Sequence, residues 1–80
     1  MIPLTLTELA PGETVTIESI DTGDPAVQRL MVLGLVEGAE LTFVRASLGG
    51  DPLEFRLFGA AISLRREQAR QFRVVPAGTA

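Results

Sequence analysis

Apolar residues recur at helical spacing in one stretch of the chain, residues 24–38. At about 100° per residue, one face of a helix here carries the apolar side chains of Ala26, Val27, Leu30, Met31 and Leu33. Gln28 and Arg29 lie on the opposite face, and Val32 lies on the same side as Gln28. The pattern predicts one main helix, with its apolar face buried and Val32 exposed.

Residues at both ends of this stretch favour the start and the end of a helix. Asp24 can accept a hydrogen bond from an amide of the first turn, and Pro25 suits the first helical position because no N–H is needed there. Gly34 can adopt the left-handed conformation that ends a helix, which would return Leu35 onto Leu30 in a Schellman motif. The predicted helix therefore begins after Asp24 and ends at Gly34.

Several other segments alternate between apolar and polar residues or are rich in β-branched residues, which is typical of strands. The predicted strands cover residues 13–20, 39–46, 53–58, 61–64 and 72–75. We assign Gly38 to the turn before the second strand, and Pro76 stops the last one. Residues 65–70 lack β-branched side chains and favour one helical turn.

Short strands with a helix inserted after the first do not suit a sandwich, but they can curl into a barrel that removes most free edges. The predicted fold class is mainly β: a small barrel of about five strands, with one α-helix after the first strand and a short helical turn before the last. A chain of 80 residues predicts a single domain. We place this domain at residues 1–76 and a disordered tail at residues 77–80.

The composition excludes several functions. The chain has no cysteine and no histidine, which removes disulfides, thiol chemistry, imidazole catalysis and the usual zinc ligands. The net charge is −3 and every basic residue is arginine, so neither nucleic acid nor anionic lipid is an expected partner. The longest apolar run, residues 30–36, is far shorter than the ~20 residues that cross a bilayer. We expect a cytoplasmic protein without a cofactor and without membrane insertion.

Four carboxylates are candidate metal ligands: Asp21, Asp24, Asp51 and Glu54. The calcium-binding spacing of an EF-hand, with its final glutamate, is absent. Capping or turn formation explains Asp21 and Asp24 at lower cost than a metal site. We therefore predict no metal site and keep the four carboxylates as an alternative.

Two further clusters have structural explanations. The glycine-rich residues 47–52 are followed by no Lys-Ser or Lys-Thr pair and no helix, so a hairpin tip is favoured over a phosphate-binding loop. Arg65, Arg66 and Arg70 are of a type that binds phosphates and carboxylates. Glu67 can screen these charges locally, so a solvated helical turn is the simpler explanation.

The chain is 46% hydrophobic, which is more than the core of one small domain uses. We expect the surplus to form a partner-binding surface of Val32, Leu35 and Val36, extended by Leu48 at the hairpin tip. An alternative stays open, in which Leu35 packs back on Leu30, Val32 is an isolated surface residue and Leu48 folds back onto the barrel.

The chain also resembles a known family along most of its length. Residues 29–38 (RLMVLGLVEG) are similar to the Arg-Leu-x-x-Leu/Met-Gly-Leu-x-x-Gly signature of the FeoA family. Residues 46–56 resemble its Ala-Pro-Leu-Gly-Asp-Pro hairpin, residues 62–69 its Leu-x-Leu-Arg-x-x-Glu-Ala segment, and residues 9–13 its opening turn. Glu37 and Ser47 replace prolines, Gly50 is an insertion, and Ala60 replaces a frequent tyrosine.

The resemblance implies an SH3-like barrel and a non-catalytic cytosolic accessory of bacterial ferrous iron uptake. It implies a protein-protein interaction with the cytosolic part of the membrane transporter FeoB, by a monomer or a weak oligomer. The same barrel is found at the end of metal-dependent repressors, but no DNA-binding helix pair precedes it here. The alternative function is carboxylate-based transition metal binding or metal sensing, as in the barrel at the end of such repressors.

Overall fold

The computed structural model describes residues 4–78. Within this range the chain forms six strands and two helices, in the order β1 (Leu4–Thr5), β2 (Thr14–Ile20), α1 (Pro25–Val32), β3 (Glu40–Ala46), β4 (Leu53–Leu57), β5 (Ala60–Leu64), α2 (Arg66–Ala69) and β6 (Phe72–Pro76). A 3-10 turn at Leu48–Gly50 joins β3 to β4. The fold is mainly β, with the helix inserted after the first long strand and the short helical turn before the last, as predicted.

The six strands form one antiparallel sheet in the order β1-β6-β2-β3-β4-β5. Bulges interrupt the β2–β6 and β3–β4 ladders, and bulges of this kind bend strands and increase their twist. The sheet wraps around a single core. Since β1 and β5 are the two edges and do not pair with each other, the sheet stays open, and β1 adds one strand to the predicted five.

The core contains the residues that strand alternation assigns to one face. Alternate positions of β2, β3 and β4 are buried: Val15, Ile17, Leu41, Phe43, Leu53, Phe55 and Leu57. Phe43 and Phe55 are direct partners across β3 and β4, and their ring centres lie 5.4 Å apart at an interplanar angle of 54°. A tilted pair of this kind adds about 0.5–1.5 kcal/mol to the area that the rings bury.

The start of α1 follows the sequence prediction. The Oδ1 atom of Asp24 accepts a hydrogen bond of 2.8 Å from the N–H of Ala26, and Pro25 occupies the first helical position. Of the face that was predicted to be buried, Val27 is completely buried and Leu30 is half-buried. Leu33 lies about 120° around the helix axis from Val27 and is 65% exposed, so its predicted burial is wrong.

The end of α1 is a Schellman motif. Gly34 has a φ of +117°, its N–H donates to the carbonyl of Met31 at 3.0 Å, and the N–H of Leu35 donates to the carbonyl of Leu30 at 3.2 Å. This reversal carries Leu35 into the core, where it is 0% exposed. The prediction that Leu35 contributes to an exposed partner surface is therefore wrong, because its side chain is part of the core.

Gly38 lies in the turn before β3, as predicted. The N–H of Ala39 donates to the carbonyl of Val36 at 3.0 Å, and Gly38 has a φ of +89° at the third position of this turn. The N–H of Gly38 also donates to the carbonyl of Ile17 at 2.8 Å, which fixes the turn against β2. The segment after α1 is consequently held at Gly34 and again at Gly38.

The end of the chain differs from the predicted tail in its first residues. Ala77 and Gly78 form a turn, and the N–H of Ala77 donates to the carbonyl of Thr14 at 3.1 Å. The predicted tail at residues 79 and 80 lies outside the described residues.

Candidate functional site

Four large apolar side chains are exposed around the end of α1 and the β4–β5 turn. Val32 is 87%, Leu33 65%, Phe58 79% and Val36 42% exposed. They form a continuous surface, because Val32 and Leu33 line one cavity, Leu33 and Phe58 line the next, and Phe58 and Val36 line a third. We call these four residues the helix-exit patch. The exposed positions of Val32 and Val36 agree with the sequence prediction.

Phe58 was not predicted to belong to this surface. The alternation of residues 53–58 placed it in a strand, but the strand ends at Leu57. Phe58 and Gly59 form a two-residue turn with φ of +52° and +81°, as in a type I′ hairpin. The Phe58 ring lies over Gly34, where an added Cβ atom would be 3.1 Å from Cε2 of the ring. Gly59 is the signal that could have identified this turn, whereas Phe58 has a positive φ that bulky residues rarely adopt.

Leu48, the fourth residue of the predicted partner surface, is fully exposed but lies apart from the helix-exit patch. It belongs to the turn before Leu53, at the start of β4, whereas Phe58 follows Leu57, at the end of β4. A strand of this length separates the two ends by ~14 Å. The structure therefore divides the predicted surface into the patch and a separate hairpin tip.

The arginines that follow β5 hold this hairpin tip. The side chain of Arg66 donates from Nε to the carbonyl of Gly50, and its backbone N–H donates to Oδ1 of Asp51 at 3.0 Å. Arg65 forms an ion pair with Asp51 at 3.8 Å. Because these contacts fix the tip, Leu48 is presented to solvent on a tethered turn. The sequence pattern predicted a solvated turn at Arg65 and Arg66 and did not indicate this contact.

The four candidate metal ligands all have partners in the protein. Asp21 accepts a hydrogen bond from the N–H of Gly23 at 3.2 Å, and Asp24 caps α1. Asp51 holds the hairpin tip, and Glu54 pairs with Arg45 at 3.2 Å. Within residues 4–78, no group of three or more His, Cys, Asp or Glu side chains is arranged to hold a metal ion.

Chelation tests the role of these carboxylates. We expect a strong chelator of divalent ions to leave the melting temperature unchanged, because the core is apolar and the carboxylates already have capping and ion-pair partners. Thermal unfolding followed by circular dichroism, with and without chelator, measures this. A fall of several degrees would assign the carboxylates to a structural metal site.

The fold and the surface together define a class of protein. The class is that of small, mainly β domains whose curled sheet exposes an apolar patch at one end. No helix in the described part of the chain is long and apolar enough to cross a membrane.

Comparison with known proteins identifies the family within this class. The model of the FeoA domain matches residues 4–76, and the chain therefore belongs to the FeoA domain family. No curated protein sequence matches the chain. The family links the chain to ferrous iron transport, in which FeoA proteins are accessories.

Solved structures support this assignment. The FeoA protein of Chlorobium tepidum is 37% identical, with a TM-score of 0.84 over 94% of this chain and 71% of that chain. The FeoA protein of Stenotrophomonas maltophilia is 30% identical, with a TM-score of 0.78 over 90% of this chain and 89% of that chain. That protein was solved with zinc and is described as a prokaryotic SH3-domain protein proposed to activate ferrous iron transport. The predicted SH3-like fold is thus confirmed.

The fold is also found in a regulatory protein. A manganese-dependent transcriptional repressor matches with a TM-score of 0.80 and 20% identity, over 95% of this chain and 44% of that chain. At this level of identity the match shows a shared fold only.

Proposed function

We propose that this chain is a non-catalytic, cytoplasmic accessory of ferrous iron uptake that binds the cytosolic part of a FeoB-type transporter. The observation that carries the proposal is the helix-exit patch. Its four neighbouring apolar side chains are exposed in a chain that belongs to the FeoA domain family. Desolvation of such a patch favours association with another protein. The alternative as a carboxylate metal-binding domain is less well supported, because the candidate ligands have structural partners.

The size of the patch is compatible with a useful affinity. Burial of one large apolar side chain contributes about 1.5–3 kcal/mol. Four such side chains would contribute roughly 6–12 kcal/mol, from which association subtracts several kcal/mol of lost translational and rotational freedom. If that loss is about 4 kcal/mol, only the upper part of the range, about 8–12 kcal/mol, leaves a millimolar to micromolar complex. Val36 contributes less than the other three because it is only 42% exposed before binding.

Val32→Asp tests the proposal. We expect this variant to weaken binding to the purified cytosolic part of the FeoB-type transporter at least about tenfold, since a carboxylate would have to be desolvated in an apolar contact. Isothermal titration calorimetry measures the affinity. Val32 is 87% exposed, so the free energy of unfolding should change by no more than about 0.5 kcal/mol.

Leu48→Asp is the matched control, because it places the same charge on a highly exposed apolar residue at the hairpin tip, which lies apart from the helix-exit patch. We expect Leu48→Asp to bind like the wild type. If both variants bind like the wild type, the patch is not the contact surface. If Leu48→Asp alone weakens binding, the hairpin tip is the contact surface instead.

A further inference from the structure

Strand β5 leaves one row of backbone groups without a strand partner. Leu57 and Ala60 flank the two-residue β4–β5 turn, and in a hairpin of this type the flanking pair exchanges both backbone hydrogen bonds. Because bonded and non-bonded pairs alternate, the N–H and C=O groups of Ala61 and Ser63 point away from β4. Among residues 4–78 no strand lies on that side, so these groups form a free edge.

A groove runs along this free edge. Its wider part has a volume of about 610 Å³ and lies between Leu30 of α1 and Ser63 of β5. Its narrower part, about 330 Å³, lies between Leu33 and Ala61 and ends at Phe58. Both volumes fall in the range of about 300–1,000 Å³ that is typical of ligand-binding clefts. A helix wall facing a free strand edge is the arrangement in which an extended peptide can add a strand.

The charge of the groove is opposite to that of the chain. The chain has a net charge of −3, yet no acidic side chain lines either part of the groove, and Arg29 lines the wider part. Within the described residues, the ion pairs involve Arg45 and Arg65, and Arg29 has no carboxylate partner. The groove therefore offers an unpaired guanidinium beside an apolar wall and a backbone edge.

We propose that this groove binds an extended segment of a partner protein, which adds to β5 as a further strand and places a carboxylate on Arg29. The inference rests on the proposed function, because Leu33 and Phe58 belong both to the groove and to the helix-exit patch. A second copy of this chain is a poorer occupant. Its own β5 contains no carboxylate and is followed by Arg65 and Arg66, which would repel Arg29.

Ala61→Pro removes one outward N–H group, and Ala61→Val is its matched control. Proline is tolerated on an edge strand where its nitrogen faces solvent, so the pairing of β5 with β4 should remain intact. Valine keeps the N–H group and suits a strand. The far-ultraviolet circular dichroism spectra of both variants should match that of the wild type.

The probe is a random heptapeptide library displayed on phage and selected against the wild-type chain. We expect the selected peptides to alternate apolar residues and to carry Asp or Glu at one end. Measured by fluorescence anisotropy, they should bind Ala61→Pro at least tenfold more weakly than Ala61→Val, which places a side chain of similar size in the groove but keeps the N–H group. Arg29→Gln should weaken the binding of a peptide with Glu at that end. The binding of the same peptide with Gln in place of Glu should be unchanged. Hydrogen exchange at the amides of Ala61 and Ser63 should slow at least tenfold in the complex.

The outcomes separate this proposal from the proposed function. A selection that yields no peptide discriminating between the wild type and Ala61→Pro overturns the strand addition. If the transporter part binds Ala61→Pro like the wild type but binds Val32→Asp weakly, the strand addition fails and the proposed function stands. If peptides bind the edge but the transporter part does not bind the wild type, only the proposed function fails. Light scattering tests the remaining occupant. If the wild type is a dimer and Ala61→Pro is a monomer, the groove binds a second copy of this chain, and the proposal of a partner segment is overturned.

Discussion

Phe55→Ala is expected to lower the free energy of unfolding by about 3–5 kcal/mol. Phe55 is 0% exposed on β4, and the substitution removes both the buried ring and its tilted pair with Phe43. A domain of this size has a total stability of roughly 4–12 kcal/mol, so the loss is a large fraction of what holds the fold. The loss of unfolding free energy is about 3 kcal/mol only if neighbouring side chains can move into the cavity that the ring leaves.

Urea unfolding followed by far-ultraviolet circular dichroism measures this, because the chain has no tryptophan or tyrosine for fluorescence. The melting temperature should fall by at least about 12 °C. Phe58→Ala is the control, since it deletes the same ring from a residue that is 79% exposed. We expect it to cost less than about 1 kcal/mol. Equal losses in the two variants would contradict the assignment of Phe55 to the core.

The buried positions of the strands were predictable because the side chains of a strand point alternately to the core and to solvent. Val15 and Ile17 of β2, and Leu41 and Phe43 of β3, are buried as their alternation indicates. The helix start was predictable for a similar reason, since the Asp24-Pro25 pair acts within its own turn. In these places the sequence determines the structure through neighbours that are close along the chain.

The residues beyond Leu30 were less predictable, because their burial depends on how the helix sits on the sheet. Helical spacing alone assigned Leu33 to the buried face, but the contact centres on Val27 and leaves Leu33 at its margin. The spacing rule also ends where the helix ends, and Leu35 is buried through the reversal at Gly34. Only part of the predicted partner surface, Val32 and Val36, is therefore in place.

The remaining parts of the candidate site depend on contacts between distant positions. Phe58 reaches Gly34 through the register of the sheet, and no local pattern records which strand becomes the edge. The groove between α1 and β5 exists only once that edge and the helix are placed together. A sequence with the same alternation could place another strand at the edge, so neither Arg29 nor Ala61 could be singled out beforehand.

Gly34→Val is expected to lower the free energy of unfolding by about 2–3 kcal/mol. Gly34 has a φ of +117°, a conformation that a β-branched residue strongly resists, and the Schellman motif that buries Leu35 depends on it. An added Cβ atom would also lie 3.1 Å from Cε2 of Phe58, so the ring must move. Because Phe58 joins Leu33 to Val36, the same variant should disturb the helix-exit patch and weaken partner binding.

Three alanine variants separate the backbone cost from the contact with Phe58. Gly12 has a φ of +89° and open space around the position of an added Cβ atom, so Gly12→Ala should cost only the conformational penalty of about 1 kcal/mol. Gly34→Ala adds the close approach to Phe58 and should cost more in urea unfolding. In the double variant Gly34→Ala/Phe58→Ala the contact is absent, and the penalty at Gly34 should approach that at Gly12. If Gly34→Val leaves the urea midpoint unchanged, α1 does not end in the left-handed conformation, and the link from the helix end to the patch fails with it.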